Sequence, residues 1–336
     1  MKLQEIDLNT QLSRPHKKIH LDLSCQETLE EAKVLPTWKV SDPEHYRSLR
    51  QKEETFIVNP LCLIQVQTQV TNLMRCTLLN WINETCNDML LKRETFHLSV
   101  NIIDRFLSLI KISKKSFQLV GISALFLACK VEEIYSPRIS DFSAASGESC
   151  SMAAIVEMEK KILKSMNWKI LPSTLYSWSN WLMTEWDNYN SQIPVRFKQS
   201  CKTSYKLFRQ IVGIVDAVVL DDYHLRFRRS ALAAGAIYLV IHRESCTQEY
   251  SSILTSCFEY WLGCTLGIDQ IESLNPVIDY LRQFLGLTIS YELPKAKDLV
   301  PKEALISHYE DFLAYQTYTV EALPFVKAKL ASRCKF

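Results

Sequence analysis

The chain has 336 residues, 47% of them hydrophobic and 23% charged, with a formal net charge of +2. That is an ordinary globular composition at a length that accommodates two domains. So small a net charge gives no global field that would draw the chain to nucleic acid or an anionic membrane. Seven glycines are too few for a turn-dense fold and disfavour phosphate-cradling loops.

Eleven cysteines run from Cys25 to Cys334 without a CxxC pair, and Cys76 and Cys129 fall inside apolar helical stretches. Buried free thiols of this kind point to a reducing compartment, nucleus and cytoplasm. The first eighteen residues lack an apolar core and do not read as a signal peptide. The longest apolar runs, 119–129 and 231–241, have eleven residues each, well short of the roughly 20 a membrane span needs. Both read as core helices.

Residues 1–40 are polar and weakly patterned and read as a flexible tail. Ser41-Asp42-Pro43 is a helix start, with a cap residue followed by proline at the first helical position. That helix carries Tyr46 and Leu49 on one side, and Asn59-Pro60 breaks it. From about residue 71 to 91 the pattern is densely helical with two apolar stripes. Leu79, Ile82, Cys86, Met89 and Leu90 form one, and Met74, Leu78 and Trp81 form the other. Only one can face a core, so the second needs another explanation. Arg93-Glu94 opens a second helix with Phe96, Val100, Ile103 and Leu107 in register. A third, about 116–131, is apolar nearly all round and must be surrounded by other helices. Ser136-Pro137 ends a short element, and residues 151–166 form a fifth helix. Residues 171–173 read as a linker, after which Ser173 or Thr174 caps a helix holding Trp178, Trp181 and Leu182. Further helices are predicted near 194–213, 225–243, 247–264 and 270–285, and one at 302–314. GISALFLA (121–128) is echoed by ALAAGAIYL (231–239), an offset of roughly 110 residues that suggests two five-helix domains. The predicted division is a tail (1–40), a first domain with its preceding helix (41–172), a second domain (173–290) and a C-terminal tail (291–336).

Motifs for chemistry are missing. The seven histidines are scattered, without HxxxH or Cys/His spacing, so no metal site is predicted. No phosphate-binding glycine loop and no GxSxG elbow occur, and no cofactor is expected. The acidic pairs Glu132-Glu133 and Asp221-Asp222 read as helix-end charges. The pattern points to a binding module with no catalytic residues.

Four blocks within residues 74–174 carry a resemblance: MRCTLLNW (74–81), ETFHLSVNIIDRFLS (94–108), QLVGISALFLACKVEEIYSP (118–137) and MEKKILKSMNWKILPST (158–174). Together, in this order and spacing, they resemble the cyclin box. The second half, above all residues 218–240, resembles the C-terminal cyclin fold more loosely, and looks closer to the E and A types than to others. The resemblance spans about 38–285. It implies an all-α fold of two tandem five-helix domains preceded by an N-terminal helix. It also implies a non-enzymatic subunit that binds and activates a cyclin-dependent Ser/Thr kinase in cell-cycle control, at G1/S. A transcription-type cyclin and a non-activating cyclin-fold scaffold are the rival readings.

The resemblance further implies two surfaces. Lys130 and Glu159 match the pair that holds backbone groups of the kinase C-helix. Leu127, Val131, Leu163, Trp168 and Ile170 would supply apolar contact, with Tyr46 and Leu49 from the preceding helix. Met74, Thr77, Leu78, Trp81, Glu84 and Gln118 match the groove that docks Arg-x-Leu motifs of substrates or inhibitors. Its apolar slot would take the ligand leucine and Glu84 the basic residue. Thr77 departs from the usual isoleucine, Val131 from a bulkier residue and Ser136 from a common proline. Arg75 and Asp104 match a buried structural ion pair. Arg75-x-x-Leu78 fits a destruction-box string but lies in a predicted helix and reads as coincidence. No Thr-Pro dipeptide occurs, and the three basic residues within 14–18 are too few for a nuclear signal.

Overall fold

A computed structural model describes residues 39–193, 201–245, 251–267 and 274–285. Among them every regular element is helical. All but residues 39 and 40 of the predicted N-terminal tail (1–40), and the whole predicted C-terminal tail (291–336) with the helix at 302–314, lie outside the described residues.

Helix α1 (Pro43–Thr55) starts where Asp42 accepts from the amides of Glu44 and His45, with Pro43 in the first turn. A single turn, α2 (Cys62–Gln65), follows. Thr71 caps α3 (Asn72–Asp88), and α4 (Arg93–Leu109) comes next. Then come α5 (Phe117–Glu132), α6 (Ile139–Ala145) and α7 (Met152–Ser165), the last capped by Ser151. The short element therefore follows Ser136-Pro137 instead of ending there. Residues 133–138 are non-helical, as expected before a proline, which disfavours helical backbone at the residue ahead of it. Thr174, in a reciprocal cap with Ser177, starts α8 (Leu175–Gln192). Helices α9 (Cys201–Leu220), α10 (Arg229–Ser245), α11 (Ser251–Leu266) and α12 (Asn275–Leu281) complete the second half. α9 runs seven residues past its predicted end because Ile214, Val215, Val218 and Val219 continue its buried face.

Two helices act as hubs. α5 packs against α3, α4, α6 and α7, and α10 against α8, α9, α11 and α12. Each hub has a glycine at a close approach. A Cβ on Gly121 would lie 2.8 Å from the Leu78 side chain, and one on Gly235 would lie 3.0 Å from Val277. The sequence echo thus marks equivalent central helices of two five-helix units. Cys76 and Cys129 are buried and form no disulfide.

The units meet through buried charge. Arg75 of α3 pairs with Asp104 of α4 at 2.6 and 2.7 Å and donates to the carbonyls of Val219 and Leu220, each at 3.0 Å. Burial alone would lower the Arg75 pKa, but the Asp104 charge and hydrogen bonds outweigh it and hold it above the usual range. His97 and Arg93 of α4 both reach Asp216 of α9, the histidine at 2.9 Å. α1 is fastened to α10. Glu53 accepts from the Ser230 amide at 2.7 Å and its hydroxyl at 2.9 Å, and Arg229 donates to the carbonyls of Ser173 and Phe56. A cavity of about 250 Å³ lies in this seam, bordered by His97, Asp104, His224 and Arg229 among others.

Candidate functional site

Lys130 stands in the last turn of α5 and Glu159 in the third turn of α7. Packing of these two helices brings the Lys130 Nζ to 2.7 and 2.9 Å from the two carboxylate oxygens. Phe126, one turn back on α5, places its ring 4.0 Å beneath the ammonium, an added cation–π attraction. The pair is asymmetric, with the lysine side chain 43% exposed and the glutamate 10%. It therefore lies at the surface with an ordered carboxylate behind a solvated ammonium. Ordering two charges at the surface adds little stability.

The residues around it divide by exposure. Leu127 and Leu163 are buried under the pair's helices, and Val131 and Ile170 are half-buried. Trp168 is 70% exposed and has φ +60°, following Asn167 at φ +49°. Two successive left-handed non-glycine residues are costly, and here they turn a large aromatic outward just beyond α7. Tyr46 stacks on Trp181 at 5.3 Å and meets Trp178 edge-on, while Leu49 is buried. Tyr46 thus joins α1 to α8 while keeping part of its side chain exposed, and Leu49 faces the core. Ile134 (82% exposed), Tyr135 (92%) and Leu171 (51%) went unnamed in that reading. They follow the ends of α5 and α7, the helices that carry the ion pair. The run Ile134-Tyr135 after two glutamates was the available signal.

The second stripe of α3 is also only partly open. Met74 and Trp81 are half-buried, Thr77 is exposed, and Leu78 is buried against Gly121 of α5. Leu78 therefore forms the floor of the stripe and Met74 and Trp81 its walls. The Thr77 hydroxyl donates to the Leu73 carbonyl at 2.9 Å, which ties its polar group to its own helix. Glu84, half-buried, accepts from the Asn80 amide at 2.9 Å and makes no ion pair among the described residues. Gln118, exposed at the start of α5, accepts from Ser149 at 3.3 Å. An apolar strip ending in an uncompensated carboxylate suits a ligand carrying one apolar and one basic side chain.

Among the described residues no group of His, Cys, Asp and Glu could hold a metal ion, and no helix is long and apolar enough to cross a membrane.

Residues 44–171, which hold Lys130 and Glu159, match the family model described as cyclin, N-terminal domain. The chain is similar to cell-cycle cyclins, with several E-type cyclins among the matches. It is 34% identical to G1/S-specific cyclin-E1 of Gallus gallus over 197 residues, covering 57% of this chain and 46% of the relative. It is 29% identical to cyclin-B1-3 of Oryza sativa subsp. japonica over 250 residues, covering 74% and 48%. The chain spans about half the length of the curated relatives it matches. In three dimensions it is similar to a viral cyclin from herpesvirus saimiri, with a TM-score of 0.55 and 18% identity over 71% of this chain and 96% of that one. This last likeness concerns the fold.

Proposed function

We propose that the protein is the regulatory subunit of a cyclin-dependent Ser/Thr kinase, acting at G1/S in nucleus and cytoplasm. The observation that carries this reading is the Lys130–Glu159 pair, held at the surface between α5 and α7 beside the outward-turned Trp168. In this reading the ammonium donates to a main-chain carbonyl of the kinase C-helix region and the carboxylate accepts from an amide. Charge-assisted bonds of this kind orient strongly. Kinase activity requires an ion pair between a strand lysine and the C-helix glutamate. A partner that binds only the C-helix-in state shifts the population toward it by its differential affinity. Trp168, Ile134 and Tyr135 supply the apolar area. The Met74/Leu78/Trp81 strip with Glu84 recruits substrates or inhibitors through Arg-x-Leu segments.

The test is capture of a cyclin-dependent kinase followed by a histone kinase assay. Wild type activates, and Lys130→Ala with Glu159→Ala does not. Equal activation by the double variant would rule out the contact, and kinase capture without activation would favour a non-activating scaffold. For the strip, a fluorescent Arg-x-Leu peptide loses binding to Trp81→Ala; unchanged affinity removes that site.

A further inference from the structure

The non-helical segment between α5 and α6 carries a feature that the docking reading does not use. Of the eleven prolines in the sequence, Pro137 alone follows a serine or threonine. Its Ser136 is exposed and lies in a stretch, 133–138, that belongs to no helix. The Ser136 hydroxyl has one contact, 3.4 Å from the Pro137 carbonyl. Ile134 and Tyr135 before it are 82% and 92% exposed, and Arg138 after it is exposed too. Kinases that require proline after the acceptor bind it as an extended strand, and proline at the next position removes helical backbone at Ser136. The acceptor, its proline and its flanking side chains are thus presented as such a kinase needs them, without local unfolding.

We propose that Ser136 is a phospho-acceptor for a proline-directed Ser/Thr kinase, and that its phosphate closes the α5–α7 face to the partner kinase. The Ser136 Oγ attacks the γ-phosphorus of ATP. An Oγ–P bond forms, the β–γ bridging P–O bond breaks, ADP leaves, and the hydroxyl proton passes to the modifying kinase's base. The product carries about −1.5 to −2 charges at neutral pH. It sits one residue from Tyr135 and two from Ile134, and three and four residues from Glu133 and Glu132. A dianion inside an apolar docking surface must be desolvated, and it adds to negative charge already at the end of α5. Glu133 cannot swing away freely, because it accepts from the Lys92 amide at 2.8 Å and from Thr95. The acceptor assignment stands on the loop alone, whereas the closing effect rests on the function proposed above.

The experiment uses the full chain, a mitogen-activated protein kinase as the modifying probe, and ATP. Tandem mass spectrometry should place one phosphate on Ser136, and Ser136→Ala should abolish it. Incorporation elsewhere, or equal incorporation in Ser136→Ala, overturns the assignment. The phosphorylated chain and Ser136→Asp are then compared with unmodified protein for capture of the cyclin-dependent kinase. Capture should weaken about tenfold or more on phosphorylation, while Ser136→Ala treated identically retains it. Unweakened capture by the phosphorylated chain overturns the closing effect. If unmodified protein captures no kinase, the docking reading fails, and the mass spectrum still decides the acceptor.

Discussion

The chain sets oppositely charged side chains together in two places under opposite conditions. In the seam between the helical units, Arg75 and Asp104 are almost fully buried, with four hydrogen bonds from the guanidinium to the carboxylate and to two carbonyls. On the α5–α7 face, Lys130 and Glu159 sit at the same close distance, but the lysine side chain is 43% exposed. The buried pair cannot lose a member without stranding a charge in low dielectric, so it ties the units together. The surface pair costs little to open, so its groups can be handed to a partner. Similar chemistry is structural in one place and available in the other, and burial makes the difference.

The largest effect is expected from the seam. Asp104→Ala leaves the Arg75 guanidinium buried and unpaired and should cost about 3–5 kcal/mol in chemical denaturation; a loss under about 1 kcal/mol would show that water enters and solvates it. Acid should open the same region. Burial first, and then the Arg75 charge, lowers the His224 pKa from 6.5 to about 4. The unfolded chain takes up the proton near 6.5 while the folded chain holds His224 neutral. The contribution is therefore complete above pH 6.5 and is lost as pH falls toward 4, by roughly 3 kcal/mol in all. His224→Asn, whose amide can still donate toward the Asp221 carbonyl, should flatten that part of a stability-against-pH curve. A parallel curve would place the acid sensitivity elsewhere. Gly121→Ala forces Leu78 to rotate, at about 1 kcal/mol. It should also weaken Arg-x-Leu peptide binding, whereas unchanged binding would mean that Leu78 does not form the floor. The smallest stability effect belongs to the face. Lys130→Ala with Glu159→Ala should move the denaturation midpoint by the equivalent of under about 1 kcal/mol while abolishing kinase activation. A loss as large as that of Asp104→Ala would erase the distinction between the two pairs.

Much of the fold was legible because its cues are local. Caps at Asp42, Thr71, Ser151 and Thr174 start helices where the sequence suggests, and the all-round apolar pattern of α5 marks it as central. The Lys130 and Glu159 positions came through resemblance to the cyclin box, and the ion pair between them emerged only when α5 packed on α7. The seam was legible only in Arg75 and Asp104. His97 and Asp216 are 119 positions apart and Glu53 and Ser230 are 177 apart, and no periodicity connects residues so distant. The packing of Tyr46 was hidden for the same reason, since its partners Trp178 and Trp181 belong to the other unit.

The clasp of Glu53 on Ser230 also has a meaning in time. α1 leaves the ribosome before α10, and its anchor lies 177 residues later. At about 5–20 residues per second, that anchor follows roughly 10–30 s behind. Throughout that interval the half-buried side of α1 has no second unit to cover it. A nascent chain of this protein therefore passes through a stage in which α1 needs shielding, and a helper that binds early chains would find it there.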